Sequence, residues 1–273
     1  MQNINCDYEI IVADDYSTDD TLEILSRYQK LYADIINIIP STANLGITKN
    51  YQKAFKECRG KYIAILEGDD YWISPNKITK QMLFLEANKD CSLCSHQLFI
   101  HNEVSNSVTL ASVVSREKFN TEFLINNNFI GNFSSCMYRK DVIDQIPPHL
   151  YELNVYDWMF NIVCSLHGYI GYILEPLSVY RLHKQGLWSS AKKQEARKEL
   201  SISIDEYNKF LNYKYDKEFN IAKFKHTNSN NFNSIVKGVF SYQGLGYIAH
   251  YVLPPIFIIF LGKIRKFLRK SIK

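Results

Sequence analysis

The chain has 273 residues, enough to bury a substantial core, and its 46% hydrophobic and 22% charged content is ordinary globular composition that excludes a disordered or collagen-like protein. Its net charge of +4 conceals an asymmetry: residues 1–190 carry 16 Lys+Arg against 22 Asp+Glu, a balance of −6, while residues 191–273 carry 16 against 6, a balance of +10. An acidic part suits metal and sugar chemistry, and a basic part suits an anionic surface.

Residues 8–13 (YEIIVA) read as a strand. The acidic turn that follows holds Asp14 and Asp15. Ser17, Thr18 and Asp19 suit a helix N-cap, and Asp19 and Asp20 suit its first turn. The helix carries Leu22, Leu25, Tyr28 and Leu31 at helical spacing. Strand, acidic turn and helix form the first half of a βαβ unit. Residues 35–39 predict the next strand. Asn44-Leu45-Gly46 then turns into a helix with Tyr51, Ala54, Phe55 and Cys58 on one stripe, which Gly60 ends.

The stretch that organises the chain comes next. Residues 62–66 form an apolar run of buried-strand type that empties into Glu67, Asp69 and Asp70. Three carboxylates within four residues repel one another unless a cation joins them. Mg²⁺ or Mn²⁺ suits such a place, because it takes one or two carboxylates and fills its shell with water and substrate phosphates. A solvated acidic loop is the plain alternative. The first acidic turn should lie near this one, since parallel strands end on one sheet edge, where open α/β sheets bind ligands.

Pro75 opens a third helix with Ile78, Met82 and Leu85. Residues 91–114 alternate with polar breaks, which predicts antiparallel or edge strands. The six cysteines are scattered and no secretory signal precedes them, a pattern of free thiols in a reducing cytosol. Cys91 and Cys94 form a lone CxxC, for which burial in a strand is expected over a zinc site. Residues 117–126 predict a helix and 134–138 a strand. Tyr156-Asp157-Trp158 leads a further helix, where Asp157 alone could be a simple cap. Lys-rich helical sequence runs from about 191 to 225. Residues 226–233 read as a linker, and residues 244–262 carry no formal charge, with Pro254-Pro255 in their middle and six basic residues after Gly262. This segment predicts an interfacial membrane helix beside a polybasic tail, with a core helix as the alternative. Nucleic-acid binding is disfavoured, because the basic residues there alternate with acids and accompany an apolar run.

Five motifs, VADDYSTDDT at 12–21, NLG at 44–46 with Asn50, LEGDDYW at 66–72, YDW at 156–158, and EPL at 175–177 with YRLH at 180–183, resemble in order and spacing those of glycosyltransferase family 2, over residues 8–190. The resemblance implies a GT-A (Rossmann-like) α/β domain, a mixed sheet flanked by helices, at 1–190; residues 191–273 lie outside it, and their own basic, helical and apolar sequence predicts a membrane-associating extension. It implies an inverting, metal-dependent transfer of a sugar from a nucleotide-diphosphate donor, a UDP-sugar in many members, to a cell-surface glycan or lipid-linked acceptor at the cytosolic membrane face. Residue by residue, Asp157 matches the catalytic base. Asp14, Asp15, Lys49, Glu67 and Asp70 match nucleotide-sugar positions, with Asp15 at the base and Glu67, where the family more often has Asp, near the ribose. Asp69 and His183 match the residues that hold Mn²⁺ or Mg²⁺, and Trp158 is placed against the sugar or the core. Residues 131–135 fall on the acceptor side. The family pattern also starts one strand–helix unit upstream of Tyr8, which is absent after Met1. The resemblance therefore implies a truncated domain with an opened nucleotide pocket and reduced activity. A catalytically impaired fragment that binds nucleotide or a membrane partner without turnover is the alternative.

Overall fold

The computed structural model describes residues 2–111, 114–184, 186 and 193–228. In chain order the elements are β1 (Ile10–Ala13), α1 (Thr21–Leu31), β2 (Ile36–Ile39), α2 (Ile47–Glu57), β3 (Tyr62–Ala64), β4 (Tyr71–Trp72), α3 (Lys77–Ala87), β5 (Cys91–Asn102), β6 (Ser107–Leu110), β7 (Lys118–Phe119), α4 (Thr121–Asn127), β8 (Met137–Arg139), α5 (Lys140–Ile143), α6 (Asp157–Ser165), β9 (Tyr169–Leu182), α7 (Lys193–Phe210) and α8 (Asp216–Asn228). Short 3₁₀ turns occupy Phe133–Ser135 and Pro148–Glu152.

The strands form two sheets. β1 and β2 pair in parallel, from Ile10↔Ile36 to Ala13↔Ile39. The larger, seven-stranded mixed sheet runs β3-β8-β5-β9-β4, with β6 on β5 and β7 on β9. Its spine is the parallel β5–β9 ladder, from Cys91↔Tyr169 to Asn102↔Leu182. The register shifts on both sides of Gln97, which faces Pro176. Proline lacks the N–H that would continue the ladder.

No ladder joins β1 to β3 among the described residues; α2 and its flanks tie the two instead. At the strand starts the Arg59 backbone N–H and guanidinium donate to Glu9 at 2.7–2.9 Å. At the strand ends Asn50 Nδ2 donates to Ala13 O at 3.0 Å, and the Tyr51 hydroxyl to Glu67 Oε1 at 3.0 Å. β1 and β3 thus run the same way with their acidic ends together. Helix α1 buries none of its residues, and Leu22, Tyr28 and Leu31 stay exposed.

One expectation changes in part. Residues 91–102 pair antiparallel with β6 and β8, as the alternation predicts, but they are not an edge: β5 is the middle strand, buried from Cys91 to Leu98. The alternation misleads because its polar residues are satisfied inside. Ser95 Oγ meets Ser135 Oγ at 2.9 Å, and the Gln97 amide donates to Ala111 O at 2.7 Å. Cys91 and Cys94 are buried free thiols, as expected for a strand. A domain break is expected at residue 190. The first compact unit runs to Ala222. Leu200, Ile204, Tyr207, Tyr215 and Phe219 of this Lys-rich region join a core with Phe55, Phe133, Tyr138, Trp158 and Phe160. An amphipathic helix can carry many charges and still bury one stripe. A second unit starts at Lys223, and the segment 244–262 lies outside the described residues. No helix among the described residues is long and apolar enough to cross a membrane.

Candidate active site

The first acidic turn is built by its own carboxylates. Asp14, only 5% exposed, accepts the Ser17 N–H at 3.0 Å and the Ser17 hydroxyl at 2.5 Å, while Tyr16 takes a left-handed φ of 68°. Asp15 accepts the N–H groups of Leu45 at 2.7 Å and Gly46 at 2.9 Å, locking the NLG turn that starts α2. Lys49, in the first turn of α2, pairs at 3.5 Å with Glu152, both largely exposed. Asp14, Asp15 and Lys49 thus shape this end of the sheet.

The second acidic turn leaves β3 and enters β4. Here Asp70 is turned inward: Oδ2 accepts Asn132 Nδ2 and Ser134 Oγ (2.7 Å), and Oδ1 accepts the Arg181 N–H at 3.0 Å. Ser134 also accepts the Glu67 N–H at 3.0 Å, and its carbonyl accepts Trp72 Nε1 at 3.0 Å. Beneath Trp72 lies the buried ammonium group of Lys77, 4.1 Å from the ring centroid, its pKa pulled down to about 7 by burial. With Asp70 occupied, Asp69 is the acid that projects outward; its side chain is 48% exposed and Oδ2 lies 3.1 Å from His183 Nε2.

Glu67 and Asp157 complete the cluster. Burial pushes Glu67 up to about 8; the charges of Asp157, Asp70 and Asp69 add to this and the Tyr51 hydroxyl opposes it. Asp157 starts α6, and its Oδ1 accepts the Trp158 N–H at 2.7 Å. Burial pushes this carboxyl up to about 6 against the pull of that N–H. Tyr180 is raised by burial and by Asp157, Glu67, Asp70 and Asp69, so one tyrosine of β9 feels all four acids. The structure therefore brings Glu67, Asp69, Asp70, Asp157 and His183 to one edge. Trp158 packs in the core, 2% exposed, with Nε1 on Leu124 O at 3.1 Å.

Among the described residues no group of three or more His, Cys, Asp and Glu is placed to cage a metal ion. Asp69 and His183 fit a less enclosed arrangement. Ligand atoms at adjacent corners of an octahedral shell with bonds near 2.1 Å stand about 3.0 Å apart, close to the observed 3.1 Å. Half-exposed Asp69 would leave such an ion open to water and phosphate oxygens. Asp157 stays apart from this pair as a carboxylate able to take a proton at neutral pH.

Against known proteins, the family model described as Glycosyl transferase family 2 matches residues 2–146. The chain belongs to glycosyl transferase family 2. The uncharacterized protein Rv1520 of Mycobacterium tuberculosis is 31% identical over 184 residues, 67% of this chain and 52% of that protein. The chain spans about half the length of such curated relatives. A shorter match, 40% identical over 89 residues, joins 30% of this chain to 31% of the Escherichia coli UDP-Glc:alpha-D-GlcNAc-diphosphoundecaprenol beta-1,3-glucosyltransferase WfaP. Among solved structures, Staphylococcus aureus TarS 1-349 in complex with UDP gives a TM-score of 0.53 at 14% identity, covering 92% of this chain and 68% of that one. At that identity the likeness is one of fold, the GT-A mixed sheet flanked by helices.

Four residues to which sequence reasoning gave no part in holding the acids hold this family 2 site together: Tyr51, Asn132 and Ser134, the last two expected on the acceptor side, and Arg181 of the YRLH motif. Their partners lie 16, 62, 64 and 111 positions away. The place of Tyr51 on the helix stripe pointed to the core.

Proposed function

We propose that this chain is the catalytic part of a metal-dependent hexosyltransferase that moves a sugar from a nucleoside-diphosphate sugar, most simply a UDP-sugar, to a hydroxyl of a cell-surface glycan or lipid-linked acceptor. The observation that carries the reading is the division of labour at one sheet edge: Asp69 and His183 stand 3.1 Å apart, while Asp157 is a separate, half-buried acid. When bound, Mn²⁺ or Mg²⁺ supplies positive charge to the leaving diphosphate. Asp69 and His183 would hold it. Asp157 removes the acceptor hydroxyl proton as that oxygen attacks the anomeric carbon opposite the leaving group, which inverts the configuration. Glu67, kept neutral by its surroundings, offers a hydrogen bond to a donor hydroxyl without adding repulsion against the diphosphate. The names of WfaP and of the TarS–UDP complex support the donor class, and that of WfaP supports a lipid-linked acceptor. Such an acceptor sits at the membrane, where the basic, apolar C-terminal sequence would keep the enzyme on the cytosolic face. We propose residues 1–222 as the transferase unit and the remainder as the membrane-associating extension.

The test is donor consumption against a panel of sugar nucleotides with Mn²⁺, with Asp69→Asn and Asp157→Asn beside the parent protein. Turnover that both substitutions abolish supports the reading; unchanged turnover in either rejects the site.

One observation favours a second reading, nucleotide binding without turnover: among the described residues no ladder joins β1 to β3, and the first acidic turn is tied to the second through α2. Calorimetry with UDP and Mn²⁺ separates the two, since binding without donor hydrolysis supports the second.

A further inference from the structure

Arg181 lies on β9 two residues before His183, and the reaction above gives it no part. Its backbone N–H donates to Asp70 Oδ1 at 3.0 Å. The β4–β9 ladder has its last pair at Tyr71↔Val179, so this side chain stands in for the next ladder carbonyl. The guanidinium makes two further connections. Nη1 donates to the Asp69 carbonyl at 3.0 Å, and Nε and Nη2 reach Glu103 Oε1 at 2.8 and 2.6 Å. Glu103 follows β5 and is anchored by its own N–H, which donates to Leu182 O at 3.0 Å. Arg181 therefore ties the acidic turn to the end of the β5–β9 ladder. These groups, with Val104, His183 and Lys184, line a groove of about 400 Å³.

We propose that Arg181, braced by Glu103, is a positioning residue that fixes the 69–70 turn and so keeps the Asp69 carboxylate at His183. The inference rests on the transferase reading for its purpose and on these contacts for its geometry. Each side chain of the pair is 35% exposed, and an ion pair that open to water contributes little to stability. Its effect is on where Asp69 points. Loss of a group that orients a metal ligand weakens metal affinity by about 10–100-fold.

The test compares the parent protein with Arg181→Gln, Arg181→Lys and Glu103→Gln. Two readouts are taken: Mn²⁺ binding with UDP present, and hydrogen exchange of the Asp69 and Asp70 amides without metal. Expected for Arg181→Gln are about tenfold weaker Mn²⁺ binding and about tenfold faster exchange confined to this turn, with an unchanged melting temperature. Glu103→Gln should move both readouts the same way by less, and Arg181→Lys should recover part of each. Parent-like exchange and Mn²⁺ binding in Arg181→Gln overturn the proposal. If that variant unfolds, parent-like behaviour of Glu103→Gln overturns it instead. If the parent itself binds no Mn²⁺ while the turn still loosens in Arg181→Gln, the transferase reading fails and the positioning role stands.

Discussion

Asp69 Oδ2 and His183 Nε2 meet at 3.1 Å although the two residues are 114 positions apart. They come from the turn after β3 and from the residue after β9, and the sheet brings these two ends side by side. His183→Ala should weaken Mn²⁺ binding in the presence of UDP by at least the roughly tenfold that loss of a supporting group costs a metal site. Paramagnetic resonance titration of free Mn²⁺ measures it.

Asp157→Asn should cut the transfer rate by about 10²–10⁴-fold, the usual contribution of a positioned general base. In the parent protein, the logarithm of the rate should rise with unit slope up to about pH 6, where Asp157 loses its proton. Stability moves the other way. The unfolded acid ionises near 3.9, so between there and pH 6 the folded protein retains a proton that the unfolded chain has released, and stability falls as pH rises through that window. Above pH 6 the cost is complete. Asp157→Asn should therefore be more stable than the parent at pH 7.5, by on the order of 2 kcal/mol, as judged by urea unfolding.

Glu67, pushed up to about 8, carries the same sign over a higher range. Stability should fall as pH rises from about 4.5 to 8. Glu67→Gln keeps an acceptor for the Tyr51 hydroxyl and removes the ionisation. Its melting temperature should change less than the parent's between pH 5 and 8, and it should melt higher at pH 8.5.

Ser134→Ala removes one hydroxyl with two duties, acceptor for the Glu67 N–H and donor to Asp70. Each partner is left without that bond, and the expected cost is about 1–3 kcal/mol by urea unfolding.

Much of the architecture could be read from periodicity. The strands at 10–13 and 36–39, the helix at 47–57 and the acidic turn after β3 stand where apolar runs, caps and glycines put them. So does Asp157 at the start of α6. What escaped has a common cause. Ser92, Ser95 and Gln97 are polar yet buried in β5, because hydrogen-bond partners distant in sequence make burial tolerable. Asp14 and Asp70 differ from Asp69 only in what surrounds them, and a string of letters gives all three the same chemistry. The Lys-rich stretch after residue 190 was read by its charges, whereas its packing follows from the apolar stripe of Leu200, Ile204 and Tyr207.

β9 runs from Tyr169 to Leu182, bulging around Pro176, and ends beside the proposed metal ligand. At its other end Gly171 faces the ring of Phe84 so closely that even a methyl group there would collide with it. From Gly171 to Leu182 the strand keeps pace with β5 from Cys94 to Asn102, bulging around Pro176, a span of about 27 Å. A bulkier residue at 171 would have to push aside either Phe84 or the strand itself. The two ends of β9 are therefore joined through a bend and not by a rigid rod.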